Sequence, residues 1–198
     1  KKKNMILKRT FDIVLSIFAI FLLFPSILVV SFLIVIDSGF PIFFLQKRIG
    51  RDAKEFNIIK FRTMKINNEN ITITVSDDSR ITRIGKYLRK TKIDELPEIL
   101  NVLFGQMSFV GPRPDVKGYA DKLKGANRKI LALRPGITGP ASLKYYNEEY
   151  ILSKKSNPKK YNDEVIFPDK VKINMDYFHN RSFFLDLKII FATIFRIF

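Results

Sequence analysis

From Ile13 to Ile36 the chain carries no charged residue, a run of about 24 positions where roughly 20 suffice to span a bilayer as a helix. Such a run cannot be left in water. A cleaved leader would have a shorter apolar region and a small-residue cleavage site, and Val35-Ile36-Asp37-Ser38-Gly39 is a poor one. The plain alternative is an ordinary spanning helix. Two features argue instead for a helix that breaks and returns. Pro25 sits at the middle of the run, where it removes a backbone hydrogen bond and costs about 3 kcal/mol unless a kink absorbs it. Both flanks are basic, with Lys1, Lys2, Lys3, Lys8 and Arg9 before the run and Lys47, Arg48, Arg51 and Lys54 after it. Positive charge beside a membrane segment prefers the cytoplasmic side, so both flanks are expected on that side.

Composition narrows the partners. A net charge of +16, from 35 Lys+Arg against 19 Asp+Glu, calls for something anionic: nucleic acid, an anionic leaflet or phosphorylated substrates. Nucleic-acid binders carry such charge on polar scaffolds, whereas this chain is 46% hydrophobic with 19 Phe, which favours membrane lipids over nucleic acid. There is no Cys, so thiol catalysis and thiolate-bound metals are excluded. With His179 as the one histidine, any catalysis must rest on carboxylates, Lys and Arg, with or without a bound metal ion.

After the apolar run, Pro41–Ile49, a Gly50-Arg51-Asp52 turn and Lys54–Met64 read as a β-hairpin. Asn67–Asp78 reads as a polar loop. Ile81, Ile84 and Leu88 have helical spacing over Ile81–Lys90, and Glu95–Phe104 reads as a second helix ended by Gly105. Asp115–Leu133 is expected as a third helix, Arg134–Pro140 as a rigid loop and Lys154–Asp163 as a charged linker, with helix resuming over Asp169–His179. Ser182, Asp186, Thr193 and Arg196 form a narrow polar stripe on an otherwise apolar final segment. That segment is either a buried helix on the core or an amphipathic helix in the lipid interface. The expected class is α+β and α-rich, with a membrane element over residues 1–40 and a catalytic domain over 41–198.

The candidate chemistry centres on Asp94 and Glu95. Thr91 and Asp94 fit capping-box spacing, and Pro97 suits a first helical turn, so Asp94 reads equally as a helix cap. A helix start, however, also presents free N–H groups to a phosphate, and an ionised Asp beside it is a possible nucleophile. Two adjacent carboxylates further suit divided roles, one attacking and one holding Mg²⁺. Arg113 is locked between Pro112 and Pro114 with a guanidinium able to fork onto phosphate oxygens. Lys60 and Arg62 alternate on a strand and should share a face. Arg80, Arg83, Arg89 and Lys90 precede the carboxylates, and Arg134 stands before Pro135-Gly136. Singly, each is a solvated charge; gathered in stiff loops, they suit anionic phosphate.

The order of motifs is informative in itself. Lys8-Arg9…Asp12, Gln46-Lys47-Arg48-Ile49-Gly50, Lys60-Phe61-Arg62-Thr63-Met64 and Asp78-Ser79-Arg80-Ile81-Thr82 are followed by Gly85…Leu88-Arg89-Lys90 and Asp94-Glu95-Leu96-Pro97. Asn101-Val102-Leu103, Met107–Pro114 and Arg134–Gly139 complete the series. From about residue 8 onward the chain closely resembles the bacterial sugar transferases, the small monotopic phosphoglycosyl transferases. The resemblance implies transfer of a sugar 1-phosphate from a UDP-sugar to polyprenyl phosphate with release of UMP, at the cytoplasmic face of the bacterial inner membrane. It implies Asp94 as nucleophile, Glu95 as Mg²⁺ ligand, and Lys60, Arg62, Arg89 and Arg113 on phosphates or nucleotide, with Arg134 a further candidate. It also implies a re-entrant helix broken at Pro25. Three positions depart from the pattern: Phe24 stands where many members have Ser, Pro140-Ala141-Ser142-Leu143 replaces a frequent Trp-Ala-Gln-Val, and Asn174 replaces a frequent Asp.

Two rival readings remain. A basic membrane-anchored module could bind anionic lipid or assembly partners without catalysis, and would release no nucleotide. A direct glycosyl transferase would release UDP in place of UMP.

Overall fold

A computed structural model describes residues 2–65 and 80–197; the expected polar loop at 67–78 lies outside them. The first element, α1, runs from Lys2 to Ser38 and contains Pro25. Its Ile6–Ser38 portion is long and apolar enough to cross a membrane, and only 11% of an 18-residue apolar window within it is buried. Phe18, Phe21, Phe24 and Phe32 all face outward, with Phe21 82% exposed. Helical geometry continues through Pro25, so the break expected there is not an unwound segment.

Both ends of α1 are fastened to the rest of the chain. Near its start, the Arg9 guanidinium donates to the carbonyls of Val102 and Leu103 at 2.7 and 2.8 Å. Buried Asp12 accepts from the Ser108 hydroxyl and the Phe109 N–H, each at 3.2 Å. Near its end, Val30 and Ile34 pack with Phe61 and Leu88. There Asp37 accepts from the Ile84 N–H at 3.2 Å.

The hairpin forms as expected. Strands β1 (Phe43–Ile49) and β2 (Glu55–Phe61) pair antiparallel, from Phe43 opposite Phe61 to Ile49 opposite Glu55. The next helix, α2, covers Arg83–Thr91 and is capped by the Thr82 hydroxyl, which accepts from Gly85 N–H. The expected helix over Glu95–Phe104 is shorter: Ile93–Glu95 is a 3₁₀ turn and α3 covers Glu98–Leu103. Pro97 has no N–H to offer Ile93, so the α-helical ladder cannot extend back through it. Thr91 does not cap this turn, because its hydroxyl bonds the carbonyls of Tyr87 and Leu88.

The expected helix over Asp115–Leu133 is absent as such. Gly118 at φ +104° and Gly125 at φ +56° stop regular helix, leaving 3₁₀ turns at Ala120–Lys122 and Gly125–Ala132. The loop expected at Arg134–Pro140 contains a strand, β4 (Gly136–Thr138), paired in parallel with β3 (Ser108–Val110). Gly111 and Gly136 permit this approach, since a Cβ on Gly136 would sit 2.1 Å from the Gly111 nitrogen. Helix α4 (Pro140–Lys144) follows at once, then α5 (Glu148–Ser153). The charged linker expected at Lys154–Asp163 is instead α6 (Pro158–Tyr161) leading through a π turn into α7 (Phe167–Asn180).

The last helix, α8 (Phe183–Ile197), has two unlike faces. Asp186 is buried and accepts from Tyr177 Oη and Lys8 Nζ, each at 2.5 Å, and Thr193 bonds Thr138 at 2.7 Å. The opposite face leaves Phe184 and Phe195 82% and 80% exposed. Asp186 and Thr193 of the stripe dock on the core, and the exposed face is apolar.

Candidate active site

The 3₁₀ turn before α3 delivers two carboxylates into a cleft of about 980 Å³. Their surroundings make them chemically unequal. Glu95 is gripped by a fork from Arg113, with Nη2 to Oε1 at 2.5 Å and Nη1 to Oε2 at 3.3 Å. Lys60, from the end of β2, adds a bond to the same Oε1 at 2.8 Å. Burial alone would raise the Glu95 pKa, yet Arg113 and Lys60 hold it well below the usual carboxylate range. Glu95 is therefore a fixed anion.

Asp94 is only 8% exposed, and its Oδ1 has no hydrogen-bond partner. Burial and the neighbouring Glu95 charge push its carboxyl up to about 6, against the pull of Lys60, Lys92 and Arg89. A buried oxygen without a partner is costly to keep.

The cations are distributed in a way that spacing alone does not show. Lys60 also pairs with Glu98 at 3.3 Å. Arg89 lines the cleft but is ion-paired with Glu149 of α5 at 2.7 Å. Arg62 does not share a face with Lys60. The strand ends at Phe61, and the Arg62 guanidinium turns to the end of α1, donating to the carbonyls of Ser38 at 2.8 Å and Phe40 at 3.1 Å. Arg134 is placed elsewhere, its Nε donating to Gly105 O at 2.8 Å. Of the sequence candidates, the fold gathers Asp94, Glu95, Lys60, Arg89 and Arg113. Arg62 and Arg80 also line the cleft, Arg62 with its guanidinium bonded to the end of α1, and Arg134 is not among the lining residues.

Several participants escaped the sequence reading. Glu98 is 1% exposed, and burial together with Glu95 pushes it up to about 7. Its position one turn beyond Glu95, in a stretch already dense in acid, was the available signal. Asn101 is buried and ties α3 to the hairpin, its Oδ1 accepting from Ile59 N–H at 3.0 Å. Asp115 lines the cleft beside Arg113, and burial pushes it up to about 6 against Lys170 and Arg48. Glu148 and Lys170 pair at 2.6 Å and line the same cleft.

The residues also bear on a metal ion. Among the described residues no group of three His, Cys, Asp or Glu is placed to hold one. Mg²⁺, however, is commonly held by one or two carboxylates together with water and substrate phosphates. Asp94 Oδ1 is unpartnered, and Glu95 Oε2, with a single bond from Arg113, keeps a free lone pair. Those two oxygens fit that requirement.

The model of the family described as bacterial sugar transferase matches residues 3–198. A UDP-glucose:undecaprenyl-phosphate glucose-1-phosphate transferase from Klebsiella pneumoniae is 34% identical over 198 residues, covering 98% of this chain and 40% of its own length. The exopolysaccharide production protein PSS of Rhizobium leguminosarum bv. phaseoli is 36% identical, covering 96% of this chain and 94% of its own. A UDP-N-acetylgalactosamine-undecaprenyl-phosphate N-acetylgalactosaminephosphotransferase from Aeromonas hydrophila is 36% identical and covers 95% of this chain. The chain spans 40% of the Klebsiella protein and 43% of the Aeromonas protein, and nearly all of the Rhizobium one.

Proposed function

This chain belongs to the bacterial sugar transferase family, and from that premise we propose that it moves a sugar 1-phosphate from a UDP-sugar to undecaprenyl phosphate, releasing UMP. The observation that carries the proposal is the unpartnered Asp94 oxygen in a cleft wall with fixed cations around it. In this reading an ionised Asp94 oxygen attacks the phosphorus that bears the sugar. A carboxylate O–P bond forms, the bridging O–P bond of the diphosphate breaks, and the bridging oxygen departs with UMP. A phosphate oxygen of the polyprenyl acceptor then attacks the same phosphorus and returns Asp94 to its carboxylate. The products are UMP and a sugar joined to the lipid through a diphosphate, the first membrane step of glycan assembly.

The other residues divide the supporting work. Arg113 and Lys60 hold Glu95 as an anion, and Lys60 also acts on the nucleophile Asp94. Arg89, paired with Glu149, adds a cation that favours ionised Asp94. Glu95 would hold Mg²⁺ through Oε2, leaving Asp94 to attack, and the ion would supply charge neutralisation to the donor's diphosphate when bound.

The membrane side of the proposal is a re-entrant α1 with both flanks on the cytoplasmic face. Its support is the double anchoring of that helix. A straight helix would hold Arg9 and Ser38 about 44 Å apart. Yet Arg9 bonds Val102, whose neighbour Asn101 bonds Ile59, three residues from the Arg62 that bonds Ser38. A helix that turns at Pro25 satisfies both anchors, and the exposed faces of α1 and α8 then meet lipid.

The test is product identity. Full chain in detergent or nanodiscs, given undecaprenyl phosphate, Mg²⁺ and a panel of UDP-sugars, should release UMP with at least one donor. Release of UDP would establish direct glycosyl transfer, and no nucleotide release from any donor would leave a binding module.

A further inference from the structure

The same cleft has a second region whose chemistry is the opposite of its cationic floor. Helix α4 packs on α7 there, and each contributes a buried polar atom with nothing to bond. Ser142 Oγ and Asn174 Oδ1 have no hydrogen-bond partner, and both residues line the cleft. Asn174 is 9% exposed. Asp115 lines the same region, its negative charge favoured by Lys170 and Arg48.

We propose that Ser142, Asn174 and Asp115 form a subsite for a ring bearing hydroxyl groups, the polyol portion of the nucleotide-sugar donor. The proposal rests on the donor assigned above and names residues that read it. Asn174 Oδ1 and an ionised Asp115 are acceptors, and Ser142 Oγ both donates and accepts. A phosphate offers only acceptors and would meet a carboxylate of its own sign. A hydroxyl offers the donors that these atoms lack. Buried polar atoms without partners are expensive, and a ligand that completes them removes that cost on binding.

Placement agrees with chemistry. Lys170 precedes Asn174 by one helical turn on the same face of α7 and pairs with Glu148 at 2.6 Å. Lys170 and Arg113 both act on the charge of Asp115, so the subsite adjoins the wall where Arg113 holds Glu95. A donor whose diphosphate lies at the cations thus has a hydroxyl-bearing ring within reach of Ser142 and Asn174. The ring is either the transferred hexose or the ribose of the nucleotide, and the two share the same hydroxyl chemistry.

Calorimetric titration of the full chain in nanodiscs separates them, with UDP-glucose, UDP-galactose, UDP-N-acetylgalactosamine and UMP as probes. Asn174→Leu should weaken the best-bound UDP-sugar about tenfold, and Ser142→Ala by several-fold, the size of a lost buried hydrogen bond. If UMP binding is unchanged, the ring is the hexose; if UMP weakens in parallel, it is the ribose. The melting temperature of ligand-free Asn174→Leu should hold or rise, because an unpartnered amide is removed. Should that variant fail to fold, Ser142→Ala, which loses one oxygen, carries the same expectation. Unchanged affinity for every probe in both variants would overturn the subsite. The outcome is separate from the transfer reading, which fails if wild type binds a donor but releases no UMP.

Discussion

Arg113 is bound to Glu95 through both terminal nitrogens, at 2.5 Å to Oε1 and 3.3 Å to Oε2. The guanidinium expected to fork onto substrate is thus already forked onto a carboxylate. Its charge serves the site through Glu95, which Lys60 shares at 2.8 Å.

The pair should behave as a unit. Arg113→Lys keeps the charge and loses the fork, and kcat/KM for UMP release should fall by about tenfold or more. In a double-mutant cycle with Glu95→Gln, the two losses should be strongly non-additive. Additive losses would show that Arg113 acts on substrate independently of Glu95.

The covalent step is tested at Asp94. Incubation with UDP-sugar and Mg²⁺ but no lipid acceptor should give a burst of about one equivalent of UMP and a phosphosugar on Asp94, located by mass spectrometry. Asp94→Asn should abolish adduct and turnover. An adduct on another residue would refute the mechanism while leaving the family assignment intact.

The carboxylate pKa values make two pH predictions. Asp94, raised to about 6, must be ionised to attack, so kcat/KM should drop about tenfold per pH unit below 6 and level off above it. Stability runs the other way for Glu98. Its folded-state value is raised to about 7, so the native state holds a proton that the unfolded chain releases near pH 4. Its contribution is full below pH 4 and is lost as pH rises to about 7. Glu98→Gln should therefore melt like wild type at pH 4 and above it at pH 8. Identical melting curves at both pH values would remove Glu98 from the ledger of strained groups.

Topology is tested with single cysteines, possible because the chain has none of its own. Replacements at Lys3 and Lys54 should label alike with an impermeant reagent on intact spheroplasts, both protected. Labelling at Lys3 alone would establish a spanning helix. Pro25→Leu should relieve the kink and shift the Lys3 position toward labelling.

Local pattern determined much of this protein. The uncharged run appears as α1, and the alternating stretches around Gly50-Arg51-Asp52 appear as β1 and β2, because each is long enough for its periodicity to be read. The motif Asp94-Glu95-Leu96-Pro97 lies on the cleft wall, although its spacing from Thr91 also permitted a helix cap. Tertiary structure decided what these residues do to one another. Strands β3 and β4 are three residues each, too short for a period, and their pairing joins Ser108 to Gly136 across a long intervening chain. Lys60 and Arg62 share a strand-like alternation, but β2 stops at Phe61, and the carbonyls at the end of α1 capture Arg62. Arg113 and Glu95 are 18 positions apart, and nothing in their spacing predicts the fork. Pairing, burial and pKa depend on which groups fold beside one another, and that information resides in contacts between distant segments.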